Sequence, residues 1–324
     1  MRPIRLLGFI GLSPLLLLFL ATPSLSQTPP VGIIDFYGLR HVSEEQVRQA
    51  LPFKVGDDLP DSPTAAQHRL EALPGVLHAR LSAICCDAGK TIIFVGIEEK
   101  GSPSSRLRKA PRGKVGLRAD VIAAGKESEN ALMEAVEKGD TQEDDSQGHA
   151  LMHNPALRAV QEGFIVYAAR DLRNLRDVLR KSADARQRAL AAEVLGYAPD
   201  KRAVVPDLEY AMSDVDAGAR NNAMRALGVI AGFARKKPAL GIVIHAHPFV
   251  NLLNSLVWSD RNKASLALGF LTESRDPALL ADLRDHALPA LVEMARWKSA
   301  GHAEPAFRIL GRIGGLSEKE IHDA

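Results

Sequence analysis

Two hydrophobic rhythms divide the chain. Between residues 31 and 100, short apolar runs and period-two alternation are punctuated by Gly and Pro. Val31 to Tyr37 reads as a strand closed by Gly38. Ser43-Glu44-Glu45-Gln46 has the form of a capping box, with Val42 and Val47 placed as a hydrophobic staple. The helix it opens carries Val47, Ala50 and Leu51 on one face and stops at Pro52. Ser62-Pro63 opens a second helix with the stripe Ala66, Leu70, Leu73, ended by Pro74-Gly75. Leu77, Ala79, Leu81, Ala83 and Cys85 then alternate with His78, Arg80, Ser82 and Ile84, the signature of a half-buried strand. Asp87 to Lys90 form a turn, and Thr91 to Glu98 return with Ile93, Val95 and Ile97 on one face. The predicted order is β-α-α-β-β.

The second half repeats. Arg188-Ala-Leu-Ala191-Ala-Glu-Val-Leu195-Gly196 aligns with Arg220-Asn-Asn-Ala223-Met-Arg-Ala-Leu227-Gly228. It aligns again with Arg261-Asn-Lys-Ala264-Ser-Leu-Ala-Leu268-Gly269, and with a fourth copy, Ala303 to Gly311, that lacks the Arg. The shared pattern is Arg-x-x-Ala-x-x-x-Leu-Gly, at glycine-to-glycine steps of 32, 41 and 42 residues. Ala and Leu four apart share a helix face, and the glycine marks a close approach or a helix exit. Apolar helices precede the copies at Leu175 to Leu179, Val204 to Met212, Phe249 to Val257 and Leu288 to Trp297. Each unit is a helix pair that buries its apolar face only by stacking on its neighbours.

The N-terminal order resembles a POTRA (polypeptide-transport-associated) domain over residues 31–100. The matching residues are Gly38, Val42-Ser43-Glu44-Glu45-Gln46-Val47, Gly56-Asp57, Leu73-Pro74-Gly75-Val76 and the closing strand Thr91 to Glu99. The repeats resemble a HEAT-type array over residues 172–321. The resemblances imply an α+β module followed by an all-α solenoid, predominantly helical overall. They also imply a module that binds envelope polypeptides, sometimes by adding a strand at its open edge, here Leu77, His78, Ala79, Arg80, Leu81, Ser82, Ala83 and Ile84. In HEAT arrays an Asp before each copy and the Arg within it commonly link neighbouring repeats, a structural role; Asp184 and Asp216 stand four residues before their Arg.

The N-terminus reads as an address. Arg2 and Arg5 precede an apolar run from Leu6 to Ala21, and Ser24-Leu25-Ser26 supplies the small residues of a cleavage site before Gln27. The run is interrupted by Gly8, Gly11 and Pro14 and falls short of the roughly 20 residues of a spanning helix. The expected organisation is therefore a signal peptide at 1–26, the POTRA-like module at 31–100, a flexible basic linker at 101–117, a helical and acidic connection at 118–171, and the repeat domain at 172–324. The alternative at the N-terminus is a retained anchor. An exported, soluble protein meets an oxidising compartment, where adjacent Cys85 and Cys86 read either as a vicinal bridge or as one buried thiol beside one at a strand end.

Charge narrows the function. The chain has 41 Lys and Arg against 39 Asp and Glu; loss of Arg2 and Arg5 brings the balance to zero. Such neutrality, with 5% aromatic residues, opposes a general nucleic-acid binder. Lys100, Arg106, Arg108, Lys109, Arg112, Lys114 and Arg118 form an acid-free run, read as a contact to an anionic lipid or wall surface or as a solvated tether. Glu127 to Asp145 is conversely acidic. His245 and His247 resemble two metal ligands without a third. No nucleophile elbow, phosphate loop or Cys-x-x-Cys occurs.

The expectation is an exported, non-enzymatic scaffold for envelope polypeptides, in assembly or protein traffic, without cofactor or metal. The alternatives are a lyase-like, cofactor-modifying protein built on the array, and a membrane- or wall-associated module working through the basic linker.

Overall fold

The computed structural model describes residues 29–324 apart from residue 61; the signal peptide expected at residues 1–26 lies outside the described residues. The chain is a predominantly helical α+β protein with a three-stranded and a two-stranded sheet. The first part runs β1 (Val31–Tyr37), α1 (Glu44–Ala50), α2 (Pro63–Glu71), β2 (Val76–Asp87), β3 (Lys90–Glu99). Ser43 and Gln46 close their capping box in both directions, and Ser62 accepts from the Thr64 amide ahead of α2. β3 is central, parallel to β1 and antiparallel to β2. Ala88 and Gly89 both take positive φ, 46° and 73°, which gives the β2–β3 turn the twist a two-residue hairpin needs.

One sheet face, with Ile34, Ala79, Ile93, Val95 and Ile97, packs on Val47, Ala66 and Leu70 of α1 and α2. A register shift between Val76 and His78 alters the expected inward face of β2: Val76 is buried and Leu77 is 50% exposed. Of the two readings of the cysteines, the one with free thiols is set aside, since Cys85 is exposed and disulfide-bonded.

The other sheet face is covered too. Tyr37, Ile92 and Phe94 belong to the core of the helical part. Phe94 stacks on Trp258 at 5.0 Å between ring centres, and the Tyr37 hydroxyl donates to the Leu256 carbonyl at 2.8 Å. Asp35 accepts from the Lys298 and Ser299 amides, and Glu293 accepts from the Gly38 amide. A sheet buried on both faces calls for a continuous apolar central strand, and Ile92-Ile93-Phe94-Val95 supplies it.

The second part comprises α3 (Ala119–Glu137), a hairpin of β4 (Glu143–Asp144) and β5 (Leu151–Met152), and eleven further helices. These are α4 (Pro155–Arg170), α5 (Leu172–Lys181), α6 (Ala185–Gly196), α7 (Lys201–Ala211), α8 (Ala217–Lys236), α9 (His247–Leu252) and α10 (Trp258–Leu271). The stack ends with α11 (Pro277–His286), α12 (Leu288–Ala295), α13 (Ala300–Ile313) and α14 (Glu318–Asp323). The Ala-Leu faces of α6, α8, α10 and α13 stack in sequence, α6 on α8, α8 on α10, α10 on α13. Segment 118–171, expected as a connection, joins this stack: α3 packs on α4, and both contact α6. The repeat glycine is a close-approach position at Gly196 and Gly311, where an added Cβ would lie 2.7 Å from Ala226 and 2.5 Å from Ile321, whereas Gly228 and Gly269 face open space.

The repeat arginines are buried and perform one structural task. Each reaches a carbonyl six residues earlier, Arg188 to Ser182, Arg220 to Asp214 and Arg261 to Ser255. Each also pairs with a carboxylate of the next unit: Arg188 with Asp214 at 2.8 Å, Arg220 with Asp260 at 2.7 Å, Arg261 with Glu293 at 3.0 Å. The linking acids are not Asp184 and Asp216. Those two cap α6 and α8, accepting from the Gln187 and Ala219 amides, because a carboxylate before a helix finds its free amides first.

The basic linker differs most from expectation. It runs back along the array as an extended strap, crossing the units in reverse order. Ser105 and Arg106 bond Asn251. The Arg108 amide donates to the Ser213 carbonyl at 2.7 Å. Gly113 bridges to Ser182, and the Leu117 amide donates to Gln187 at 2.7 Å. Backbone bonded at this many points, to both backbone and side chains, is held rather than free.

Candidate binding sites at the sheet edge and in the helical groove

β2 is an edge strand. Among the described residues it pairs with β3 alone, through the register His78↔Glu98 to Ile84↔Ile92. In an antiparallel ladder successive residues point their backbone groups to opposite sides. The Ala79 amide faces outward, because it donates to the Glu71 carboxylate at 3.1 Å. By the same alternation the N–H and C=O groups of Leu81 and Ala83 point away from β3. The Glu71 cap covers only the start of the edge. Residues Leu77 to Ile84 are therefore one strand, but its two sides differ: Leu81 and Ala83 present backbone outward, whereas His78, Arg80, Ser82 and Ile84 are turned toward β3. The opposite edge, β1, is partly covered, since the Val31 amide bonds the Asp57 carbonyl and Lys298 reaches the Ile34 carbonyl.

The residues of the anionic-surface expectation lie along the strap. Arg106, Lys109, Arg112, Lys114 and Arg118 are exposed. Arg108 is not available to a surface: it pairs with Asp214 and lies 4.3 Å over the Tyr210 ring. His245 and His247 are both exposed. His245 bonds Glu209 at 3.0 Å, and His247 opens α9. Among the described residues no group of three or more His, Cys, Asp and Glu comes together to hold a metal.

Sequence reasoning missed a groove of about 520 Å³ on the inner face of the array. Its floor is made by α6, α8 and α10, and its rim by α3 and the β4–β5 hairpin. The hairpin is laid over the array by Tyr197, whose hydroxyl donates to the Ala150 carbonyl at 2.9 Å. Glu143, paired with Met152 at the open end of the hairpin, reaches Arg225 of α8, and Asp145 lies 3.5 Å from Lys236. The acidic stretch is thus partly committed to basic residues on α8.

Groove side chains come from equivalent places in successive copies. Asn221 and Asn262 follow the buried Arg directly, Asn222 and Lys263 follow next, and Glu193 and Arg225 stand five residues after theirs. The environment is electrostatically strained. Burial pushes the Glu193 carboxyl up to about 7, against the pull of Arg225 and with the push of Glu129. Burial lowers Lys263, Arg225 lowers it further, and Glu143 opposes both. Behind the groove wall, burial brings Lys201 down to about 7. Its ammonium donates to the Gly196 carbonyl at 2.9 Å and lies 3.0 Å from His149 Nδ1. Burial, then Lys201, brings His149 down to about 4, so the ring is a neutral acceptor there.

Trp258 completes the wall. It is 8% exposed, and its buried indole N–H has no hydrogen-bond partner. The signal for this site was in the sequence, in the variable positions of the repeat. Asn and Lys stand there between the Arg and the Ala, and Glu and Arg between the Ala and the Leu, at positions that the apolar stripe does not use.

No family model matches the chain, and no curated protein matches it. Among the described residues no helix is long and apolar enough to cross a membrane.

Proposed function

We propose that the chain is an exported envelope protein that acts as a non-catalytic scaffold for polypeptides, with a POTRA-like module fixed onto a HEAT-like array. One observation carries the reading: β2 is twelve residues long and, among the described residues, paired on one side only, with the backbone of Leu81 and Ala83 turned outward. Unpaired N–H and C=O groups on a sheet edge are a template for a partner strand. Docking of the other sheet face onto Trp258 and Trp297 supports a rigid presentation of that edge. An edge held this way loses little order on binding.

The test is crosslinking capture from the native envelope fraction with the mature full-length chain. Ala83→Pro removes an outward N–H without touching the β3 ladder, a position where an edge strand tolerates proline. The reading requires a stoichiometric polypeptide whose capture is lost in Ala83→Pro and kept in Ala83→Thr. Capture that ignores the proline, or purified protein that turns over a small molecule, sinks it. The lyase-like alternative is favoured by one observation, the groove in which Glu193 stands near neutrality with Lys201 behind the wall. Turnover of a small molecule by the purified protein, lost in Glu193→Gln, would establish it.

A further inference from the structure

We propose that the groove on the inner face of α6, α8 and α10 is a binding site for a carboxylate-bearing ligand, and that Glu143 of the chain occupies its cationic end in the free protein. This goes beyond the strand-addition reading and concerns a different surface.

The groove holds more donors than the chain satisfies. Arg225 and Lys263 are electrostatic neighbours, and Glu143 acts on both. Glu143 bonds Arg225 only, and among the described residues Lys263 makes no ion pair. The Trp258 indole N–H, buried in the same wall, has no acceptor. A buried donor without a partner is unfavourable, and an oxygen-rich anion in the groove would supply what Glu143 does not.

Glu143 is loosely delivered. Its hairpin has only two paired residues per strand. The flanking ion pairs are open to solvent, Asp145 with Lys236 at 3.5 Å and Asp144 with Arg158 at 4.0 Å, a class that contributes little. Tyr197 and the buried Leu151 and Met152 hold β5 and the loop before it, but the Glu143 carboxylate itself is held by one partly solvent-exposed pair and is a removable stand-in. Two further acids in the same lining, Glu129 and Glu193, the second an electrostatic neighbour of Arg225, set the charge the groove accepts. Two cations set against these two acids suit a carboxylate and disfavour a multiply charged phosphate. The carboxylate is free, as in a small dicarboxylate, or is carried by an acidic peptide.

The experiment is calorimetric titration of the mature full-length protein with three probes. They are glutarate, an end-blocked peptide of the chain's own residues 140–146, and inorganic phosphate. Glu143→Gln removes the competitor and is expected to tighten the carboxylate probes about tenfold, since an occupied site lowers apparent affinity by its free fraction. Lys263→Gln, which breaks no ion pair, and Arg225→Gln are each expected to weaken them at least tenfold in the Glu143→Gln background. Saturable binding of the peptide alone assigns the carboxylate to a polypeptide; binding of glutarate assigns it to a small molecule. The proposal is overturned if neither carboxylate probe saturates Glu143→Gln, if Lys263→Gln binds as tightly as its parent, or if phosphate binds and the carboxylates do not.

Discussion

Arg188 and Asp214 form a two-pronged ion pair wholly inside the array, Nε and Nη2 each 2.8 Å from a carboxylate oxygen. Burial raises the pKa of Asp214 and its hydrogen bonds from Arg188 and Asp216 outweigh it, so the group is held below the usual carboxylate range. The pair joins the α5–α6 unit to the α7–α8 unit, and Arg108 of the strap closes on the same carboxylate.

Removing one member leaves a charge uncompensated in the interior. Arg188→Ala or Asp214→Ala is expected to destabilise the chain by about 3–5 kcal/mol, and the paired change Arg188→Met with Asp214→Leu by less, its remaining cost being Arg108 left without its carboxylate. Urea unfolding of the four proteins measures this. A double variant as unstable as the singles would mean that the ladder stabilises by more than charge compensation.

The strap makes a prediction about order. The amides of Arg108 and Gly113 donate to Ser213 and Lys181 carbonyls. Native-state hydrogen exchange is expected to find both as slow as amides in the adjoining helices, because they open only when the strap lifts. Exchange at the rate of an unstructured linker would return the segment to the flexible connector that its Ser, Pro and Gly content suggests.

Much of the fold was legible because local chemistry repeats itself. Ser43 with Gln46, Ser62 before Pro63 and the Ala-Leu stripes are decided within a few residues, and the structure has them. The missed features are long-range. Asp214 and Asp216 are two residues apart, and only the fold decides which one caps a helix and which one meets Arg188. Arg108 reads as one more charge in a basic run until Asp214 and Tyr210 are brought to it. Ile92 and Phe94 carried a usable signal: apolar residues on the second face of β3 require a second cover, and the array is that cover.

That cover joins the sheet part to the helical part through a shared core. Phe94 is fully buried between the sheet and Trp258 and Trp297. Phe94→Ala is expected to cost about 3–5 kcal/mol through lost contact and cavity. It should also split a single thermal transition into two, as the sheet module loses its hold on the array. Calorimetry decides; a variant that melts in one step at an unchanged temperature would show that the docking contributes little.

The groove predicts a pH dependence with a definite sign. Burial raises the Glu193 carboxyl from 4.5 to about 7 in the folded chain. Between these values the folded state keeps a proton that the unfolded state has lost. Its contribution to stability therefore falls as pH rises from about 4.5 to about 7, and stays low above that. Glu193→Gln abolishes the titration. It is expected to stabilise the protein at pH 8, on the order of 1–3 kcal/mol or roughly 2–8 °C in Tm for a chain of this size, and to leave it nearly unchanged at about pH 4. Melting curves of both proteins across this range measure the effect. A variant less stable at pH 8 than the parent would mean that Glu193 is held by Arg225 as a working ion pair, and the groove would then be neutralised from within rather than awaiting a ligand.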